Sequence, residues 1–113
     1  MKGIVYSNGI LAGSIEKTDS GSYIFRYHDA YISNTGNPPI SLTLPKTNRE
    51  YSSGELFPFF FGLLSEGVNK DIQCSMLKID ENDDFTRLLL TSRYDTIGAI
   101  TIQPENDEMR RLL

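Results

Sequence analysis

The sequence predicts a single α+β domain: an antiparallel β-meander or small barrel-like sheet with about three helices. Three observations lead there. Residues 1–27 hold two tight-turn signals between segments rich in β-favouring residues. Residues 56–64 hold the densest apolar cluster of the chain. The order is strands, then helices, then one last strand, which is the α+β pattern rather than alternating βαβ.

Residues 3–7, GIVYS, read as the first strand. Asn8-Gly9 follows, a two-residue hairpin turn in which both positions tolerate positive φ. Residues 10–16, ILAGSIE, return as the second strand, and Gly13 within it marks a bulge or a close backbone approach. Thr18-Asp19-Ser20-Gly21 is the second turn. Tyr23, Phe25 and Tyr27 then alternate with Ser22, Ile24 and Arg26, a period of two that predicts a third strand. HDAYIS suggests one helical turn with Asp29 near its start, and Asn34 to Pro39 is a loop closed by two prolines. Residues 40–44, ISLTL, alternate and read as a fourth strand ended by Pro45, with KTNREY as a polar connection.

Ser52 and Glu55 have capping-box spacing, and a helix is expected from about Leu56, with Pro58 in its first turn. Leu56, Phe57, Phe59, Phe60, Phe61, Leu63 and Leu64 wrap most of that helix, so it should be buried on nearly all sides. Gly67 suits a helix C-cap or a loop. Val68, Ile72, Ser75/Met76 and Ile79 fall at helical spacing and predict a helix over 68–79. Asp83 or Asp84 can cap the next helix, FTRLLLTSR, with Phe85, Leu88 and Leu89 on one face. IGAITI is the closing strand, with imperfect alternation, and Pro104 stops it. Residues 1–105 are thus expected to form one domain, with 106–113 a charged C-terminal tail.

The chain has 113 residues, enough to bury a core without disulfide or metal staples, and its net charge of −4 leaves no basic face for a nucleic-acid backbone. No apolar run approaches the ~18 residues of a membrane span. Cys74 is the only cysteine, which fits a reducing compartment; the expected location is cytoplasmic.

Residues suited to catalysis are scarce. His28 and Cys74 are the only histidine and the only cysteine, so a structural zinc set cannot be assembled from them. His28 beside Asp29 allows an acid–base pair but reads better as a solvated turn. Cys74 on an amphipathic helix reads as a quiet thiol. The acidic run from Asp80 to Asp84 lacks the sixth-position glycine of a calcium loop and reads as a solvated loop plus helix cap. Tyr23, Phe25 and Tyr27 could stack nucleic-acid bases, yet the missing basic flanks favour core packing. No metal, cofactor or active site is expected from these residues, and a binding module is.

The blocks VYSNGILAGSI, YIFRYHDAYI, PPISLTLP, FPFFFGLLSEG, DDFTRLL and DTIGAITIQPE, in this order, resemble the N-terminal subdomain of HipA-type toxin kinases. That subdomain typically shows a V…NG…G hairpin, an F.Y…YL strand, a PLSLSLP strand, a PFF.NLLPEG helix, a DF.LL helix and a closing GAV.L.P strand. The match runs from Val5 to Glu105. HipA-type kinases continue with ATP-binding and catalytic segments, and none follows here before Leu113. The resemblance therefore implies a free-standing, HipS-like antitoxin of a HipBST-type system. Its implied partners are a HipT-like Ser/Thr kinase toxin, which it neutralises, and a HipB-like helix-turn-helix protein in a larger complex. Direct contact with nucleic acid or membrane is not expected. The alternative is an accessory subdomain that mediates assembly with the HipB-type protein without inhibiting the kinase; a small hydrolase or metal enzyme has little support. By the same resemblance Ser65, Glu66, Gly67, Val68 and Asn69, after the Phe-rich helix, contact the kinase. Ser65 stands where the family pattern has proline, and Val68 is small for plugging a nucleotide pocket.

Overall fold

Asn8 and Gly9 both adopt left-handed backbone, with φ of 51° and 79°, and fold β1 (Lys2–Ser7) back onto β2 (Ile10–Lys17). This is the geometry a two-residue primed turn requires. A second reversal, with Gly21 at φ 89° and the Thr18 amide donating to the Ser22 carbonyl at 2.8 Å, leads into β3 (Tyr23–Tyr27). The computed structural model describes residues 1–64, 74–76, 78, 80, 82–91 and 100–105. Its strands form one antiparallel sheet in the order β4-β3-β2-β1-β5, so the expected meander is extended by one strand on each side.

Gly13 fulfils both expectations at once. The β1–β2 register shifts between Val5 and Tyr6: Val5 faces Gly13 and Tyr6 faces Leu11, leaving Ala12 as the bulged residue. The Ala12 carbonyl instead accepts the His28 amide at 2.8 Å, which starts α1 (Asp29–Ser33) against β2. A Cβ on Gly13 would sit 2.2 Å from the Arg26 carbonyl oxygen, so the two strands approach too closely for any other residue.

The strand expected over 40–44 does not form. Pro38, Pro39 and Pro45 remove ladder donors around it. The Tyr27 hydroxyl engages the Ile40 amide and the Leu44 carbonyl, groups a strand would have used. The outer strand is β4 (Glu50–Ser53), within the segment that reads as a polar connection. There Tyr51 pairs opposite Phe25, and Glu50 opposite Arg26, with which it forms an ion pair on the other side.

The Phe-rich helix is shorter than expected. Ser52 lies in β4, so the Ser52–Glu55 capping box is not made; Ser53 Oγ accepts the Glu55 amide instead, at 3.2 Å. α2 (Pro58–Phe61) has Pro58 in its first turn, as expected, because a proline there lacks only an N–H that would have no helical partner. Turn bonds continue to Leu64. Burial is one-sided: Phe57, Phe60 and Leu64 are buried, whereas Pro58 and Phe61 are exposed.

Cys74, Ser75 and Met76 are helical, with Cys74 buried and Met76 exposed; the rest of the helix expected over 68–79 lies outside the described residues or off any helix. α3 (Asp84–Thr91) is capped by Asp83, whose carboxylate accepts the Thr86 amide at 3.1 Å and the Thr86 hydroxyl at 2.7 Å. Phe85, Leu88 and Leu89 are buried, as their spacing predicts. β5 (Ile100–Pro104) pairs with β1, with Ile100, Ile102 and Pro104 all buried, a clean alternation; residues 97–99 and the tail 106–113 lie outside the described residues.

One face of the sheet carries Val5, Ile15, Phe25, Tyr27 and Ile102, all buried. α2 and α3 cover it: Phe60 lies 5.7 Å from Phe25, and Phe85 lies 5.7 Å from Tyr23, ring centre to ring centre. Gly3 lets α3 lie flat, since a Cβ there would be 2.3 Å from Leu89 Cδ2.

Candidate functional site

The segment singled out by resemblance, Ser65 to Asn69, lies outside the described residues. What leads into it is well defined. Phe57, Phe60 and Leu64 are core residues, and Phe60 contacts Phe57, Phe59 and Phe25 with ring centres at 6.2, 5.2 and 5.7 Å. Amides of Phe61, Gly62, Leu63 and Leu64 all donate to carbonyls three or four residues earlier, at 2.9–3.1 Å. The chain is therefore rigidly placed at Leu64, one residue before the segment begins. On the outer side of α2 a cleft of about 670 Å³ opens, lined in part by Lys17, Tyr23, Leu56, Phe61 and Asp84. Its walls mix aromatic and aliphatic surface with charges of both signs, which suits a peptide or protein surface better than a phosphate.

The other sequence candidates are not brought together. His28 is exposed, and its neighbour Asp29 pairs with Arg49 Nη2 at 2.8 Å. Cys74 is buried. Asp80 Oδ1 accepts the Asn82 amide at 2.9 Å and Asp83 caps α3, so the acidic run serves a turn and a helix end. Among the described residues no group of three or more His, Cys, Asp or Glu side chains is placed to hold a metal, and no helix is long and apolar enough to cross a membrane. Phe25 and Tyr27 are buried rather than offered to bases.

A second feature escapes sequence reasoning: a tyrosine clamp on residues 34–49. Tyr27 donates its hydroxyl hydrogen to the Leu44 carbonyl and accepts the Ile40 amide at 3.1 Å. Tyr31 donates to the Pro38 carbonyl and Tyr51 to the Pro45 carbonyl, each at 2.5 Å. Tyr27 and Tyr31 stack with ring centres 5.9 Å apart and planes 6° from parallel. Lys46 Nζ lies 5.6 Å from the centre of the Tyr31 ring and donates to the Asn34 and Asn37 carbonyls at 2.8 Å each. Burial pushes the Tyr27 phenol pKa up, opposed by the Ile40 amide and reinforced by Tyr31 and Tyr51. The signal available beforehand was that buried tyrosines need hydroxyl partners, next to a proline-rich loop with carbonyls to offer.

The described residues thus form an α+β domain in which His28, Cys74 and the acidic residues are not gathered into one site. Comparison with known proteins gives its family. Residues 3–103 match the HipA N-terminal domain, and the chain belongs to that family. It is 31% identical over 104 residues to a Sinorhizobium fredii protein named "Putative kinase Y4mE", a match covering 92% of this chain but only 24% of that protein. It thus spans about a quarter of that relative's length. It is 32% identical over 103 residues to an uncharacterised Haemophilus influenzae protein, covering 91% of this chain and 92% of that one. A solved N-terminal domain of HipA toxin superposes with a TM-score of 0.66 at 29% identity, covering 93% of this chain and 94% of that one.

Proposed function

We propose that the protein is a HipS-like antitoxin that binds a HipT-like Ser/Thr kinase and holds it inactive, without catalysis of its own. The observation that carries this reading is the family match over residues 3–103, in a domain that makes up about a quarter of a relative named as a kinase. A domain of this family stands beside a much larger body in that relative, and a separate copy of it is suited to dock on such a body in trans. The contact that silences the kinase is assigned to Ser65, Glu66, Gly67, Val68 and Asn69. Leu64, the residue before that segment, is buried in the core.

The test is co-expression with a HipT-like kinase, followed by autophosphorylation of the purified pair. Growth should be rescued and phosphorylation suppressed by the wild type. Replacing 65–69 by a Gly-Ser linker should leave the fold intact and abolish suppression. Undiminished kinase toxicity beside the wild-type protein would sink the antitoxin reading. Altered operator repression with unchanged toxicity would favour assembly with a HipB-like protein.

A further inference from the structure

The chain leaves the sheet at Glu105, close to the cleft beside α2. The Glu105 amide donates to the Lys2 carbonyl at 3.0 Å, and Lys2 Nζ lies 3.6 Å from Glu105 Oε2. Met1 comes next across the sheet. Its carbonyl accepts the Lys17 amide at 2.9 Å, and its sulfur accepts the Thr86 hydroxyl at 3.7 Å, in the first turn of α3. Glu105 is therefore two strand spacings, about 10 Å, from Lys17. Lys17 lines the cleft together with Tyr23, Glu55, Leu56, Phe61 and Asp84. Lys17 Nζ lies 5.8 Å from the centre of the Tyr23 ring, and Asp84 Oδ1 lies 3.4 Å from Arg87 Nη2. Among the described residues Glu55 makes no ion pair. Phe61 is 43% exposed. The cleft thus presents one ammonium, two carboxylates and an aromatic and aliphatic wall.

The sequence that follows Glu105 carries the complementary set: Asp107 and Glu108, then Arg110 and Arg111, then Leu112 and Leu113. These residues lie outside the described ones. The six residues from Asn106 to Arg111 span up to about 20 Å when extended, enough to pass Lys17. We propose that the cleft is a docking site for a basic–aliphatic segment, and that residues 108–113 of the same chain are its resident occupant. The pairs assigned are Glu108 with Lys17, the two arginines with Glu55 and Asp84, and the two leucines with Phe61 and Leu56. Exposed ion pairs contribute little by themselves, so the leucines supply the affinity and the charges set the register. Tethering to Glu105 gives the segment an effective concentration in the mM range, at which modest contacts suffice. The cleft is then masked from within, and any other ligand must displace the segment to enter. This is independent of the antitoxin reading and of residues 65–69.

The experiment compares amide NMR spectra of the full chain as wild type, as Arg110→Glu/Arg111→Glu and as Leu112→Ser/Leu113→Ser. A synthetic peptide of residues 106–113 is then titrated into each. Both variants should shift the amides of Lys17, Tyr23, Phe61 and Gly62 and leave those of β1 and β2 before Lys17 in place. The peptide should bind each variant about tenfold or more tightly than it binds the wild type, whose cleft is already filled. Shifts confined to residues 106–113 overturn the proposal. So does peptide binding that is absent or equal in all three proteins. Cleft shifts that grow with protein concentration, with dimers in sedimentation, overturn docking within one chain and assign the occupant to a second copy.

Discussion

Tyr27 reaches from β3 to the Leu44 carbonyl, and the same hydroxyl accepts the Ile40 amide. One phenol thereby replaces the strand pairing that residues 40–44 forgo. Tyr27→Phe would leave the buried Ile40 N–H and Leu44 C=O without it. The expected loss is about 1–3 kcal/mol, the cost of unmade buried hydrogen bonds. Urea unfolding measures it, and an unchanged midpoint would show that the clamp contributes nothing.

The same residue predicts alkaline sensitivity. Burial raises the folded-state pKa of Tyr27 above its ordinary value near 10. The folded protein therefore keeps its proton where the unfolded chain loses it. The contribution to stability is full below about pH 10 and is lost as pH rises through the folded value. Denaturation midpoints across about pH 8 to 11 should fall, and fall less in Tyr27→Phe.

Gly13 and Gly3 offer a graded test of close packing. A Cβ at Gly13 meets the Arg26 carbonyl at 2.2 Å, a backbone group that cannot move without breaking the β2–β3 ladder. A Cβ at Gly3 meets Leu89 Cδ2 at 2.3 Å, a side-chain end that can turn away. Overpacking costs about 1–3 kcal/mol; Gly13→Ala should lie at the top of that range or above it, and Gly3→Ala below. Equal losses would contradict this.

The two sides of α2 should respond differently. Phe60 is fully buried among three aromatic rings, and Phe60→Ala should cost about 3–5 kcal/mol. Phe61 is 43% exposed, and Phe61→Ala should cost less than about 1 kcal/mol. Calorimetric melting of both variants decides whether burial is one-sided.

Asp83 caps α3 through Thr86, using both carboxylate oxygens. Asp83→Ala should lower stability by about 1 kcal/mol and Asp83→Asn by less. Circular dichroism during thermal unfolding provides the readout.

The sequence alone determined the meander, the Asn8-Gly9 turn, the buried face of α3 and its Asp83 cap. Each of these rests on contacts between near neighbours, whose period or turn chemistry is written locally. The six-block resemblance likewise carried the family. The placement of residues 40–53 was decided only by tertiary structure. Ile40, Leu42 and Leu44 alternate like a strand, but the partner that takes their flanking backbone groups is Tyr27, far away in sequence. Once those groups are taken, strand pairing passes to Glu50–Ser53, whose local pattern is unremarkable. One-sided burial of the Phe-rich helix follows from the same cause. Hydrophobicity says that its rings seek cover, but a sheet has only one face to offer them. Among the described residues Phe61 is left 43% exposed, on the side of α2 turned away from the sheet.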